Sequence, residues 1–208
     1  MSKLRRYVLR LLPICAASSL LCLITIAGTA SALNYGAGKY GDCTYGTCGI
    51  TLSSNGVVNI NIVPSQTGAC TVGSDLVSVL TDNTNGYTLT IQTNGASNAL
   101  SNGSSTIAAI SASQSSPSTL SANNWGYRVD GVSNFGSGPT SAYANAAYPV
   151  SDLFAPVPPS TGSADTLATT SVPADPAVTT TVWYGACADT TIPASTYGAT
   201  VMYTAVAN

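Results

Sequence analysis

The chain has 208 residues, 45% of them apolar and only 7% charged, so it can bury a sizeable core but has little charge with which to hold a charged partner. Six basic residues stand against eight acidic ones, every one an Asp, and there is no His and no Glu. This excludes each catalytic triad or dyad that needs a His base and leaves no basic patch for a phosphate backbone, so no nucleic-acid partner is expected.

The first stretch, Met1 to Ala32, has the order of a secretory signal peptide: a basic head of Lys3, Arg5, Arg6 and Arg10, an apolar run over residues 11–27, and small residues before a cut. Ala30 and Ala32 occupy the −3 and −1 positions of cleavage before Leu33, and the run is expected to form an N-terminal signal helix. Left uncut, residues 11–27 would be the chain's sole contact with a membrane, at the short end of what spans a bilayer. Four of the six basic residues belong to this head, so the remainder carries Lys39 and Arg128 against eight Asp, 2 minus 8, or −6. Export through the general secretory route to the cell surface or beyond follows. Ile14 and Leu21 precede Cys15 and Cys22, where a lipoprotein signal needs a small residue, and there is no sorting motif for covalent wall anchoring.

Residues 33–49 form a Gly- and Tyr-rich lead-in with Cys43 and Cys48; Cys70 and Cys187 complete an even set of four. In an oxidising compartment disulfides are the expected state. Of the three pairings, Cys43 with Cys48 and Cys70 with Cys187 is favoured, because the first closes a short local loop and the second ties the start of the domain to its end. A four-thiolate zinc site is the alternative, weakened by the lack of a C-x2-C pair. No metal or cofactor is expected.

From Ile50 the apolar pattern has period two. Ile50 and Leu52 lead to Asn55-Gly56, after which Val58, Ile60 and Ile62 alternate with Asn59 and Asn61 until Pro64; Asn-Gly between two such runs predicts a hairpin. Leu76 to Thr81, the turn Asp82-Asn83-Thr84-Asn85-Gly86, and Tyr87 to Gln92 repeat the theme. A calcium loop at that turn lacks both decisive carboxylates, since Thr81 and Gln92 hold the first and twelfth places, so a second plain hairpin is expected. Short strands follow at Thr106 to Ala112 and at Trp125 to Asp130, where Arg128 is expected to pair with an Asp across the sheet. Seven prolines between Val132 and Val178 rule out a continuous central strand there, so residues 132–178 read as a long ordered excursion with at most edge strands, either a binding loop or a cover for the sheet. Val178 to Tyr184 and Tyr197 to Val206 close the chain. The sum is all-β: an Ig-like antiparallel β-sandwich of seven or eight strands in one domain, residues 50–208, after an N-terminal signal helix. A fimbria-like polymer by strand addition is open to such a domain, although no tail of alternating residues lies between Ala32 and Cys43.

The blocks Tyr40 to Leu52 with its two cysteines, Trp125-Gly126-Tyr127-Arg128-Val129-Asp130-Gly131, Thr181 to Ala188, and Tyr197 to Ala205 resemble a family of exported, uncharacterised surface proteins of candidate-phyla bacteria that live attached to other bacteria. The resemblance implies a surface setting and a β-domain and supplies no activity. A weaker likeness is to the WxL domains of cell-surface proteins, whose motif is broken here at Trp125-Gly126-Tyr127 and Trp183-Tyr184-Gly185.

The leading expectation is a secreted or surface-displayed, non-enzymatic sandwich in adhesion or cell-envelope structure, with the cell wall, a glycan or a host-cell surface as partner. A carbohydrate-binding module is the alternative, with Trp125, Tyr127, Trp183 or Tyr184 stacking on sugar rings, against the simpler reading that these rings fill the core. An extracellular hydrolase using Asp130, Asp152, Asp165 and Asp175 is third; turn and loop positions account for those residues as well.

Overall fold

Alternation decides the strands. In Tyr87–Thr93, residues Tyr87, Leu89, Ile91 and Thr93 are buried while Thr88, Thr90 and Gln92 are half-buried, so one face meets a core and the other is partly wet. Burying Leu89 and Ile91 contributes about 1.5–3 kcal/mol apiece to folding. The computed structural model describes Leu20–Gly28 as backbone, and residues 49–208 in full. The basic head, the cleavage site at Ala30, Ala32 and Leu33, and the Cys43 and Cys48 pair lie outside the described residues.

The strands in chain order are β1 (Leu20–Gly28), β2 (Ile50–Ser54), β3 (Val57–Ile62), β4 (Ala69–Thr81), β5 (Tyr87–Thr93), β6 (Leu100–Ser101) and β7 (Thr106–Ala109). They continue with β8 (Ser118–Thr119), β9 (Asn124–Arg128), β10 (Tyr143–Ala147), β11 (Leu153–Phe154), β12 (Asp165–Thr169), β13 (Ala174–Ala188) and β14 (Thr196–Ala207). One layer runs β12-β5-β14-β1-β3; the facing layer places β2 and β10 end to end against β4, followed by β13, β9 and β7. β7 joins the layers, pairing β6 on one side and β9 on the other. Among the described residues the chain is thus all-β and sandwich-like, with most ladders antiparallel and two parallel, β1 with β14 and β7 with β9.

Two expectations are corrected by the register. Asn55-Gly56 and Asp82 to Gly86 do not close hairpins, because β2 pairs β4 while β3 pairs β1, and β4 pairs β13 while β5 pairs β14 and β12. Both turns carry the chain from one layer to the other. Turn-forming residues reverse the chain equally well in either setting, and nothing local records which sheet the next strand joins. At the second turn the Asn83 side chain donates to the Gly86 and Asn208 carbonyls at 3.1 and 2.8 Å and accepts the Asn85 amide at 3.1 Å, so local backbone groups satisfy it.

The signal helix is also corrected where it is described. Leu20–Gly28 is a strand, parallel to β14 over Leu21 to Gly28 and antiparallel to β3 over Leu20 to Thr25. A run of Leu and Ile with a β-branched Thr suits a strand as well as a helix, and two adjacent sheet edges decide for the strand.

The main core lies between the layers, with Ile60, Val77, Leu89, Trp125, Tyr184 and Tyr203 among its fully buried side chains. A second core covers the outer face of β4 and β13, where Cys70, Val72, Trp183 and Cys187 pack under Ile110, Leu120, Val150 and Phe154. The proline-rich excursion supplies part of that cover. Ala155 exchanges backbone hydrogen bonds with Tyr127 at 2.8 and 2.9 Å, and Phe154 lies so close to Gly185 that a Cβ there would stand 2.7 Å from the ring. The excursion therefore seals a sheet face along this part of its length. Its last proline does enter a strand: Pro176 lies within β13, at the register break between Ala174 and Val178. A bulge tolerates the missing amide that a regular ladder would not.

Candidate functional site

The four rings singled out for sugar stacking do not converge on a surface. Trp125, Tyr127 and Tyr184 have no solvent exposure and Trp183 keeps 7%. Trp125, Tyr127 and Tyr184 point between the layers, where the Trp125 indole donates to the Asn98 carbonyl at 2.9 Å and the Tyr184 and Tyr203 hydroxyls share a hydrogen bond at 2.6 Å. Trp183, one residue out of phase, packs in the second core beside the disulfide. Period two accounts for both placements, since neighbours on a strand serve opposite faces and here both faces are covered. None of the four presents a ring face to a glycan, which corrects the stacking assignment.

Cys70 and Cys187 form a disulfide, directly opposite one another in the β4–β13 ladder with Cα atoms 4.1 Å apart.

The aspartates named as candidate acids are dispersed. Arg128 is only 1% exposed; its guanidinium donates to Asp130 at 3.0 Å and to the Phe135 carbonyl at 3.0 Å, and lies 3.6 Å from Asp152. Tyr143 donates to Asp152 at 2.9 Å. Arg128 thus clamps the excursion to the sheet: Asp130 follows its own strand, and Phe135, Tyr143 and Asp152 come from the excursion. The expected pairing across the sheet is replaced by this clamp, because the outer face of β9 is covered by the excursion rather than flanked by another acidic strand. Asp165 accepts the Tyr127 hydroxyl at 2.7 Å, and burial raises its carboxyl above the usual range while pushing the Tyr127 hydroxyl up as well. Asp175 stands exposed in the β13 bulge.

Sequence reasoning overlooked Asp75. Fully buried in the middle of β4, it accepts the Asn55 amide at 2.8 Å, with the Ser54 and Tyr203 hydroxyls nearby; burial raises its proton affinity and these hydrogen bonds oppose the shift. With Tyr184 and Tyr203 it makes a polar thread through an apolar core, fixing the β2–β3 turn over β4. Asp75 stands in phase with Val77, Val79 and Thr81, which share the buried face of β4, and that phase was the available signal.

A groove of about 320 Å³ opens beside β9 and β13, lined by Val129, Asp130, Val132, Leu167 and Thr179 to Thr181. Its one carboxylate, Asp130, is already held by Arg128. Among the described residues no group of three or more His, Cys, Asp or Glu is placed to hold a metal.

The other feature of note is the position of β1. Among the described residues, β3 has β1 as its sole ladder partner, and β1 alone separates it from β14.

Compared with known families and with curated proteins, the sequence matches none.

Proposed function

We propose that this protein is exported and acts at or beyond the cell surface as a non-enzymatic β-sandwich in adhesion or cell-envelope structure. The observation that carries the reading is the buried Cys70–Cys187 disulfide, a bond that persists in oxidising surroundings. The leader-like Met1 to Ala32, the −6 charge of the remainder and its Ser-, Thr- and Asn-rich surface support the same setting. The resemblance to surface proteins of attached bacteria makes another cell's envelope the preferred partner.

The test has two parts. Native cells are fractionated into cytoplasm, membrane, wall and medium, and the protein is found by antibody; the reading predicts its absence from the cytoplasm. Beads bearing the exported chain are then mixed with cell envelopes, and binding no greater than that of an unrelated sandwich of equal charge counts against adhesion and leaves envelope structure as the role.

A further inference from the structure

The trough that β1 fills is built to outlast it. β14 is held on its far side by the β5 ladder from Val201 to Ala207. β3 is held from the facing layer: Val58 packs so closely over Gly73 that a Cβ there would lie 2.8 Å from its Cγ1 atom. The Thr71 hydroxyl donates to the Asn61 carbonyl at 2.9 Å, and the Val63 amide donates to the Asn145 side chain at 2.6 Å. Both walls therefore keep their positions through contacts that do not involve Leu20–Gly28. Without that segment they would present two unpaired backbone edges above Val58, Ile60, Ile62, Tyr197 and Val201, all buried in the complete sandwich. An apolar trough with two open edges is a strong template for another strand.

The register also defines the strand that fits. Leu20, Cys22 and Ile24 stand level with the buried Ile62, Ile60 and Val58 of β3, and Cys22 and Ile26 stand level with the buried Tyr197 and Val201 of β14. The occupant runs parallel to β14, spans about eight residues and is apolar at alternate positions. Yet this occupant lies upstream of the cut expected after Ala32, so processing severs it from the body and makes it exchangeable. Elsewhere outside the described strands, the alternation Leu33, Tyr35, Ala37 ends at Lys39 and falls short of the length needed.

We propose that the trough between β3 and β14 is a strand-acceptor site which, once the leader is cut, takes an extended segment of another exported polypeptide, apolar at alternate positions and parallel to β14. The export segment occupies the site until it is exchanged for that partner strand. This rests on the surface reading above and gives it a mode of assembly: the domain is completed by a strand from its partner.

The full chain is made with a protease site between Gly28 and Gly49, folded, oxidised and cut. The freed leader fragment should stay with the body through gel filtration. A fluorescent peptide of the Leu20–Gly28 sequence, with lysines added at its end for solubility, should displace it slowly and raise the melting temperature. The same peptide with Ile24→Asp should bind at least tenfold more weakly. Immediate loss of the fragment with no change in melting temperature, or equal binding of both peptides, would overturn the acceptor site. Protein isolated from native cells should begin at Leu33 and co-purify with a second, different polypeptide. Residues 20–28 still attached, or isolation as a lone chain or as multiples of itself alone, would overturn the assignment of the occupant. Peptide exchange is read in vitro, so a cytoplasmic location would sink the surface reading while leaving the exchange result standing.

Discussion

The Cys70–Cys187 bond joins residues 117 apart in sequence. Closing a loop of that size removes about 5 kcal/mol of unfolded-chain entropy in the chain-entropy treatment. The bond is not needed to align β4 with β13, because their ladder continues on one side from Ala186 to Val178 with an unbroken register. The effect of its removal should therefore fall mainly on the unfolded chain. In the double variant Cys70→Ala/Cys187→Ala, two small voids beside Trp183 and Phe154 add about 1 kcal/mol each. At about 2–4 °C per kcal/mol for a domain of this size, the combined loss of about 7 kcal/mol should lower the melting temperature by roughly 14–28 °C. The assay is thermal unfolding of the full chain followed by far-UV circular dichroism, with near-UV circular dichroism recorded at low temperature. The near-UV signal of Trp183 should survive in the variant. A fall of less than about 4 °C would refute the loop-entropy reasoning, and loss of the near-UV signal at low temperature would show that the bond holds the folded packing instead.

Asp75 sets a pH dependence. Its folded-state proton affinity is raised above the model-compound value of 3.8, so its contribution to stability is complete below that value and is lost as pH rises through the folded pKa. Asp75→Asn should flatten the decline in urea midpoint between acid and neutral pH, leaving the part due to Asp165, which is shifted the same way; an unchanged slope would contradict this. Arg128→Met should cost about 3 kcal/mol by urea unfolding, less than a fully buried pair because Asp152 and Asp130 retain 20% and 41% exposure. Adding Asp152→Asn to that variant should restore part of the loss, and a neutral single substitution would show that the clamp contributes nothing. Acrylamide should quench tryptophan fluorescence weakly in the folded protein and strongly after denaturation, since Trp125 and Trp183 are 0% and 7% exposed; strong quenching of the folded protein would reopen the stacking assignment.

Much of the strand set was legible because each run displays its own period. Tyr87 to Gln92 was expected and Tyr87–Thr93 is observed; Tyr197 to Val206 was expected and Thr196–Ala207 is observed. The first half of β4, Ala69 to Asp75, was missed because both faces of Ala69 to Val72 are buried and the alternation disappears. β10 and β12 lie in the proline-rich stretch where at most edge strands were expected, and edge strands are what is observed; their bounds were not legible because they are short and stabilised by neighbours rather than by their own pattern. Of the residues considered for a site, the Cys70–Cys187 pairing was readable from its place at the two ends of the domain. The fates of Trp125, Tyr127, Trp183 and Tyr184 were not, because an aromatic ring in a strand reads the same whether its face meets solvent or a covering loop.

What the sequence by itself determined is the all-β character, the low-charge surface, the exclusion of His-dependent chemistry and the apolar character of residues 11–27. Tertiary structure alone decided which strand neighbours which: that Asn55-Gly56 crosses between layers, that the excursion seals β9 and β13, and that Leu20–Gly28 lies between β3 and β14. The physical reason is that side-chain periodicity is encoded along one strand, whereas a strand's hydrogen-bond partners are backbone groups that look alike in every residue. Their choice is made by which edges the folded core leaves open.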